Sequence, residues 1–168
     1  ALEKEVEALT QLALIDGKVP VESPFVHVTR VMDSEMNYAV ARAWSNSFKV
    51  DRVKRSHDRS ATDPIRLAYI SSDFHEHATA YLMHHLFKLH DRQRFEVFAY
   101  SCDSPSDSSL RKEIETDCDF FFEITGWSAD KAAQHISNNG IDILIDLKGH
   151  TRKNRLDIAA RRPAPLQV

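Results

Sequence analysis

Two short polar runs gather side chains able to move a proton or grip a polar ligand. The first is Ser72-Asp73-Phe74-His75-Glu76-His77-Ala78-Thr79, and the second is Lys148-Gly149-His150-Thr151-Arg152. Each brings imidazole, hydroxyl and charge together within a few residues. Asp146 adds a carboxylate at the end of the apolar run that leads into the second. A neutral imidazole near pH 7 takes a proton, or accepts a hydrogen bond, from an alcohol.

His77 stands just ahead of a helical pattern that starts near Ala78. The partial positive charge at a helix N-terminus disfavours imidazolium there, which suits a general base. The same ring also reads as a helix cap or as a partner of Asp73, and on the residues alone one of these structural roles is the simpler assignment. Asp146 reads either as a group that contacts ligand and orients its loop, or as an acceptor for backbone amides. Gly149 lets the backbone approach a ligand closely. His150 and Thr151 can hydrogen-bond a sugar or an acceptor, or simply form a polar turn.

Other chemistries lack their signatures. His75-x-His77 has metal-like spacing, but no H-E-x-x-H and no clustered cysteines accompany it, so no metal is expected. His84, His85 and His90 fall on the following helix and carry no expected function. The chain has four glycines and neither G-x-G-x-x-G nor G-x-x-x-x-G-K-[ST], which argues against a self-contained dinucleotide or triphosphate site. Without G-x-S-x-G there is no nucleophile elbow for a hydrolase.

The elements that must position these runs alternate. Strands are expected at Ile65–Ser71, Phe95–Tyr100, Phe120–Ile124 and Ile141–Leu147. Helices are expected at Ala78–His90, with Tyr81, Leu82, Leu86 and Leu89 on one face, and at Ser108–Cys118, Ser128–Asn138 and Lys153–Ala160. Strict alternation implies parallel strands with right-handed crossovers, hence an open, doubly wound α/β sheet. Such a sheet binds ligands beyond the carboxyl ends of its strands, and both polar runs lie there.

Upstream, residues 1–60 read as a helical lead-in, and residues 61–168 as the α/β domain. The lead-in has an apolar stripe of Leu2, Val6, Leu9, Leu12 and Ala13, stopped by Gly17 and Pro20. A second helical stretch runs from about Val26 to Val53, with core contact expected along Val28, Val31, Met32, Met36, Ala39, Val40, Ala43 and Trp44. A polar linker at 54–64 reads as a solvated connection.

The 168 residues, 42% hydrophobic and 28% charged with net charge −3, describe an ordinary water-soluble domain. No basic excess calls for nucleic acid, and no apolar run is long enough for a membrane span. Cys102 and Cys118 read as buried free thiols of a reducing compartment. The start has no signal-peptide core, and the chain stops at Pro163-Ala164-Pro165-Leu166-Gln167-Val168 as a strand begins. It therefore reads as an excerpt of a longer cytoplasmic protein.

Several ordered runs resemble those of O-linked N-acetylglucosamine transferases. Tyr69-Ile70-Ser71-Ser72-Asp73-Phe74, followed by His77-Ala78-Thr79, is similar to that family's "Y-[VI]-S-S-D-F-x-x-H-[PA]-[TV]". Gly140-Ile141-Asp142-Ile143-Leu144-Ile145-Asp146-Leu147, with Gly149-His150-Thr151, resembles "D-G-I-D-I-L-[VI]-[DN]-[LM]-x-G-[YH]-T". Arg162-Pro163-Ala164-Pro165-Leu166-Gln167 resembles "R-P-A-P-[IV]-Q". Phe95–Tyr100 is similar to the second catalytic strand, and Ser23-Pro24-Phe25 to the lead-in that joins tetratricopeptide repeats to the catalytic region. Ala78 and His150 replace a proline and a tyrosine of the animal enzymes and point to a bacterial member.

The resemblance implies the Rossmann-like N-terminal lobe of a GT-B glycosyltransferase of family 41. It implies inverting transfer from UDP-N-acetylglucosamine (UDP-GlcNAc) to serine and threonine hydroxyls of a protein or peptide acceptor. It also implies no metal, no cofactor, and a C-terminal lobe that supplies most donor contacts. His77, the expected catalytic residue, matches the histidine proposed as the base or active-site anchor in that family. Asp73, Asp146, Gly149, His150 and Thr151 are the expected substrate-binding residues. The alternatives are a non-catalytic α/β interaction module and an inactive transferase homologue.

Overall fold

Alternating apolar residues place two hydrophobic layers on opposite faces of one sheet. The strands are β1 (Ile65–Ser71), β2 (Phe95–Ser101), β3 (Phe120–Glu123), β4 (Ile143–Asp146) and β5 (Leu166–Gln167), all parallel, in the order β3-β2-β1-β4-β5. The computed structural model describes residues 2–54, 60 and 62–168. These form two compact units, Ala1–Val50 and Asp51–Val168. Of the expected polar linker, residues 55–59 and 61 lie outside the described residues.

In the second unit, Leu67, Tyr69, Val97 and Ala99 face helices α4 (Ala78–Leu89) and α5 (Ser109–Asp117), meeting Ala80, Phe87, Leu110 and Ile114. Ala68, Ile70, Phe98 and Tyr100 face α6 (Ala129–Asn138) and α7 (Leu156–Ala159), meeting Ala132, Ala133, Ile136 and Ile158. The period of two along each strand divides these sets. Helices on both faces make the sheet doubly wound, as its alternation predicts, and the strand order reverses between β1 and β4. Ser108 and Ser128 cap α5 and α6 by accepting from the Arg111 and Lys131 amides.

Three local expectations differ from the structure. The face of α4 bearing Tyr81, Leu82 and Leu89 is exposed, and the buried face is Ala80 and Phe87, with Met83 partly covered. Phe87 is held edge-on by Tyr69 and Phe74, so aromatic packing against the sheet sets the rotation of the helix. The helix expected at Lys153–Ala160 shrinks to α7 because Lys153 adopts φ +62°, outside the helical region. The Asn154 side chain then donates to the Thr151 carbonyl and accepts from the Leu156 amide.

The third difference is in the first unit, which holds α1 (Leu2–Ile15), α2 (Pro24–Arg30) and α3 (Ser34–Asn46). The single helix expected from Val26 to Val53 breaks at 31–33. Asp33 there accepts from the Glu35 and Met36 amides and starts a new helix. Asn37 pins the break by donating to the Val31 carbonyl while its Oδ1 meets His27 Nδ1 at 2.6 Å. Of the apolar stripe expected here to make core contact, Val40 is buried, whereas Val28 and Met32 are exposed.

Candidate functional site

Strand register decides which loops share an edge. Ser71 pairs with Ser101, Ser101 with Glu123, and Ile70 with Asp146, so β1 to β4 end together. The loops after β1 and β4 leave that edge side by side, at the point where the strand order reverses and an open α/β sheet offers its crevice.

Asp73, buried in the loop after β1, joins the two loops. Its carboxylate accepts from Lys148 Nζ through both oxygens, at 2.9 and 2.8 Å. Both side chains are more than nine-tenths buried. A buried pair of this kind is geometrically demanding, because each charge left alone would cost several kcal/mol. The Asp73 amide donates to Ser71 Oγ, and Thr79 Oγ1 donates to Asp73 Oδ2 at 3.5 Å.

His77 sits beside this carboxylate, with Nδ1 3.4 Å from Asp73 Oδ2. It is also the N-cap of α4, where Nδ1 accepts from the Thr79 amide at 3.2 Å. The two roles need different tautomers. As a cap, Nδ1 is bare and Nε2 carries the proton. Paired with Asp73, Nδ1 carries the proton and Nε2 is free to accept one. The side chain is 43% exposed, so the ring is within reach of a ligand.

The loop after β4 is built on Asp146. Its two carboxylate oxygens accept from the Lys148 and Gly149 amides at 3.0 and 2.9 Å. Burial raises the Asp146 carboxyl above its ordinary pKa, against the opposing pull of those amides. Gly149 takes φ +51°, which turns the chain sharply. Thr151 donates from both its amide and its hydroxyl to the Lys148 carbonyl. That hydroxyl keeps its lone pairs for a further donor. His150 is half-buried, and desolvation lowers its pKa despite the nearby Asp146 charge.

Asp103, in the loop after β2, extends the cluster. It takes a 2.9 Å bond from Lys153 Nζ and lies 3.9 Å from His75 Nε2. Lys153 is the main reason its carboxyl lies below the usual range. His75 and His77 thus turn to different carboxylates, with ring centroids 5.9 Å apart, and do not converge on one point. The structure therefore brings Asp73 and His77 together, and places Asp146, Gly149, His150 and Thr151 on the adjoining loop.

Lys148, Asp103, Lys153 and His75 escaped the candidate set. Lys148 is visible as a charge at the end of an apolar strand, but nothing local pairs it with a residue 75 positions away. Both cysteines are free. Burial pushes each thiol up to about 12, so neither is a nucleophile at neutral pH.

The sequence pattern of Glycosyl transferase family 41 matches residues 40–168, three-quarters of the chain. The chain belongs to glycosyl transferase family 41. Family 41 relatives include a probable UDP-N-acetylglucosamine–peptide N-acetylglucosaminyltransferase, SEC, of Arabidopsis thaliana. It is 36% identical over 104 residues, 62% of this chain and 11% of the relative. A UDP-N-acetylglucosamine–peptide N-acetylglucosaminyltransferase of Caenorhabditis elegans is 38% identical over 105 residues, 62% of this chain and 9% of the relative. A mutant O-GlcNAc transferase from Thermobaculum terrenum superposes with TM-score 0.76 at 26% identity, over 86% of this chain and 29% of the other. The fold is that of a Rossmann-like GT-B lobe, and this family 41 chain spans about a tenth of the length of the curated relatives it matches.

Proposed function

We propose that this chain forms one wall of the active site of an inverting glycosyltransferase. The enzyme moves N-acetylglucosamine from UDP-GlcNAc to serine and threonine hydroxyls of proteins. The opposite wall is a second lobe of the same protein. The observation that carries this reading is the meeting of the His77 loop and the Lys148–Thr151 loop at the β1/β4 edge, through the Asp73–Lys148 pair, in a family 41 chain.

The chemistry fits these groups. The acceptor hydroxyl oxygen attacks the anomeric carbon, the bond from that carbon to the diphosphate oxygen breaks, and UDP leaves with the electron pair. The hydroxyl proton passes to His77 Nε2. This requires the tautomer in which Nδ1–H faces Asp73, whose charge stabilises the imidazolium that forms. Lys148 fixes that carboxylate without competing for the proton. Asp146, Gly149, His150 and Thr151 line the acceptor and sugar side. The leaving diphosphate draws positive charge and amides from the other lobe, so the reaction uses no metal and no cofactor. In the same reading, α1–α3 lead in from upstream tetratricopeptide repeats and the enzyme works in the cytoplasm.

Labelled donor tests the role of His77 in the intact protein. His77→Ala should keep its fold, because the side chain is only partly covered, and should lose about 10²–10⁴ of the transfer rate to a peptide acceptor. Transfer near the wild-type rate would remove His77 as the base. Absence of transfer by the wild type to any protein acceptor would favour an inactive homologue that only binds partners.

A further inference from the structure

Helix α4 carries two adjacent histidines that turn toward a single carboxylate on α5. His84 Nδ1 lies 3.3 Å from Glu113 Oε2, and His85 Nδ1 lies 3.6 Å from Glu113 Oε1. The two imidazoles lie almost against each other, with centroids 3.8 Å apart and planes tilted by 38°. One ligand atom from each of the three residues falls within 4.8 Å of the other two.

The backbone does not impose this convergence. Successive residues of an α-helix point about 100° apart, so both rings must swing toward α5 to reach one carboxylate. Nor does hydrogen bonding account for it. His84 Nδ1 is shut off from solvent and has no hydrogen-bond partner among the described residues, despite its closeness to Glu113. The spacing does suit a metal. Tetrahedral zinc with bonds of about 2.0–2.2 Å holds its ligand atoms about 3.3–3.5 Å apart. The two nitrogen–oxygen separations, 3.3 Å to one Glu113 oxygen and 3.6 Å to the other, lie close to that value.

We propose that His84, His85 and Glu113 bind a divalent transition metal of the zinc type, through both Nδ1 atoms and the Glu113 carboxylate. Water completes the shell on the exposed side of His85. Two imidazoles with one carboxylate favour zinc over magnesium or calcium, which take oxygen ligands. Lys88 is the competing cation, with Nζ 3.8 Å from Glu113 Oε1, and it is exposed enough to yield to solvent when the metal enters. The site is distinct from the candidate transfer centre. His84 follows His77 by seven residues, about 10 Å along the axis of α4. The metal ties α4 to α5 and takes no part in the transfer reaction.

Zinc alone, titrated calorimetrically into the chelator-treated full-length protein, tests the site, with cobalt as the spectroscopic probe. Removing even an outer partner of a metal ligand typically weakens binding about 10–100-fold, so His85→Ala and Glu113→Gln should each weaken one zinc event by at least that much. Both should also remove a visible cobalt absorption band. His85 is exposed, so its variant keeps the fold and isolates the ligand effect. Wild-type zinc stoichiometry and an unchanged cobalt spectrum in both variants would overturn the proposal. Zinc-edge anomalous diffraction from soaked wild-type crystals gives a readout free of variants. A peak between His84 and Glu113 supports the site, and no peak there overturns it.

Discussion

Lys148 donates to both oxygens of Asp73, at 2.9 and 2.8 Å, across 75 positions of sequence. This pair ties the loop after β1 to the loop after β4 where the strand order reverses. Asp73 also lies 3.4 Å from His77 Nδ1, so the lysine fixes the carboxylate that competes with the Thr79 amide for that nitrogen.

Breaking this pair from one side should be costly. Lys148→Met leaves a buried carboxylate uncompensated, and Asp73→Asn leaves a buried ammonium. Each should lower the stability of the intact protein by about 3–5 kcal/mol, while the double variant recovers much of the loss. Urea midpoints of the four proteins form the double-mutant cycle. Additive losses would show that the two groups are not coupled.

Gly149→Ala separates backbone strain from crowding. At φ +51° an alanine is disfavoured, yet an added Cβ would meet no atom within 4 Å. The expected loss is therefore only the left-handed backbone term, about 1–2 kcal/mol, measured by urea denaturation. A larger loss would mean that the amide bonds to Asp146 had also broken.

The exposed and buried faces of α4 should respond very differently to truncation. Phe87→Ala empties a site enclosed by Tyr69 and Phe74, and should cost about 3–5 kcal/mol. Leu82→Ala, at a side chain 84% exposed, should change stability by no more than about 0.5 kcal/mol. Comparable losses at both sites would mean that the helix is rotated from its position here.

Acid should weaken the fold through its half-buried histidines. Burial lowers the pKa of His90, His135 and His150 from the ordinary 6.5. Above 6.5 both folded and unfolded chains hold neutral rings. As pH falls below it, the unfolded chain takes up protons first, and stability drops until the folded rings also titrate. The urea midpoint should therefore fall between about pH 7.5 and about pH 5.5, and His135→Gln should flatten the slope. Asp103, held below its ordinary 3.8, loses its contribution only under that value. The raised Asp146 carboxyl acts with the opposite sign, gaining as pH falls toward 3.8. A midpoint that rises over the histidine window would contradict the direction of all three shifts.

The sequence by itself determined the strands, the crossover helices and the two polar loops. Those depend on periodicity, capping serines and turn glycines, which act over a few residues. It also placed Asp73, His77, Asp146, Gly149, His150 and Thr151 at strand ends, because parallel alternation leaves those ends on one edge. What it left open was any property set by residues distant in sequence. The rotation of α4 was decided by Tyr69 and Phe74 meeting Phe87, against an equally good apolar stripe on the other face. The break before α3 was decided by side chains of Asp33 and Asn37 competing with the helix backbone. The pairing of Asp73 with Lys148, and of His84 and His85 with Glu113, came from tertiary structure alone, because charges attract in space and local patterns carry no record of which ones will meet.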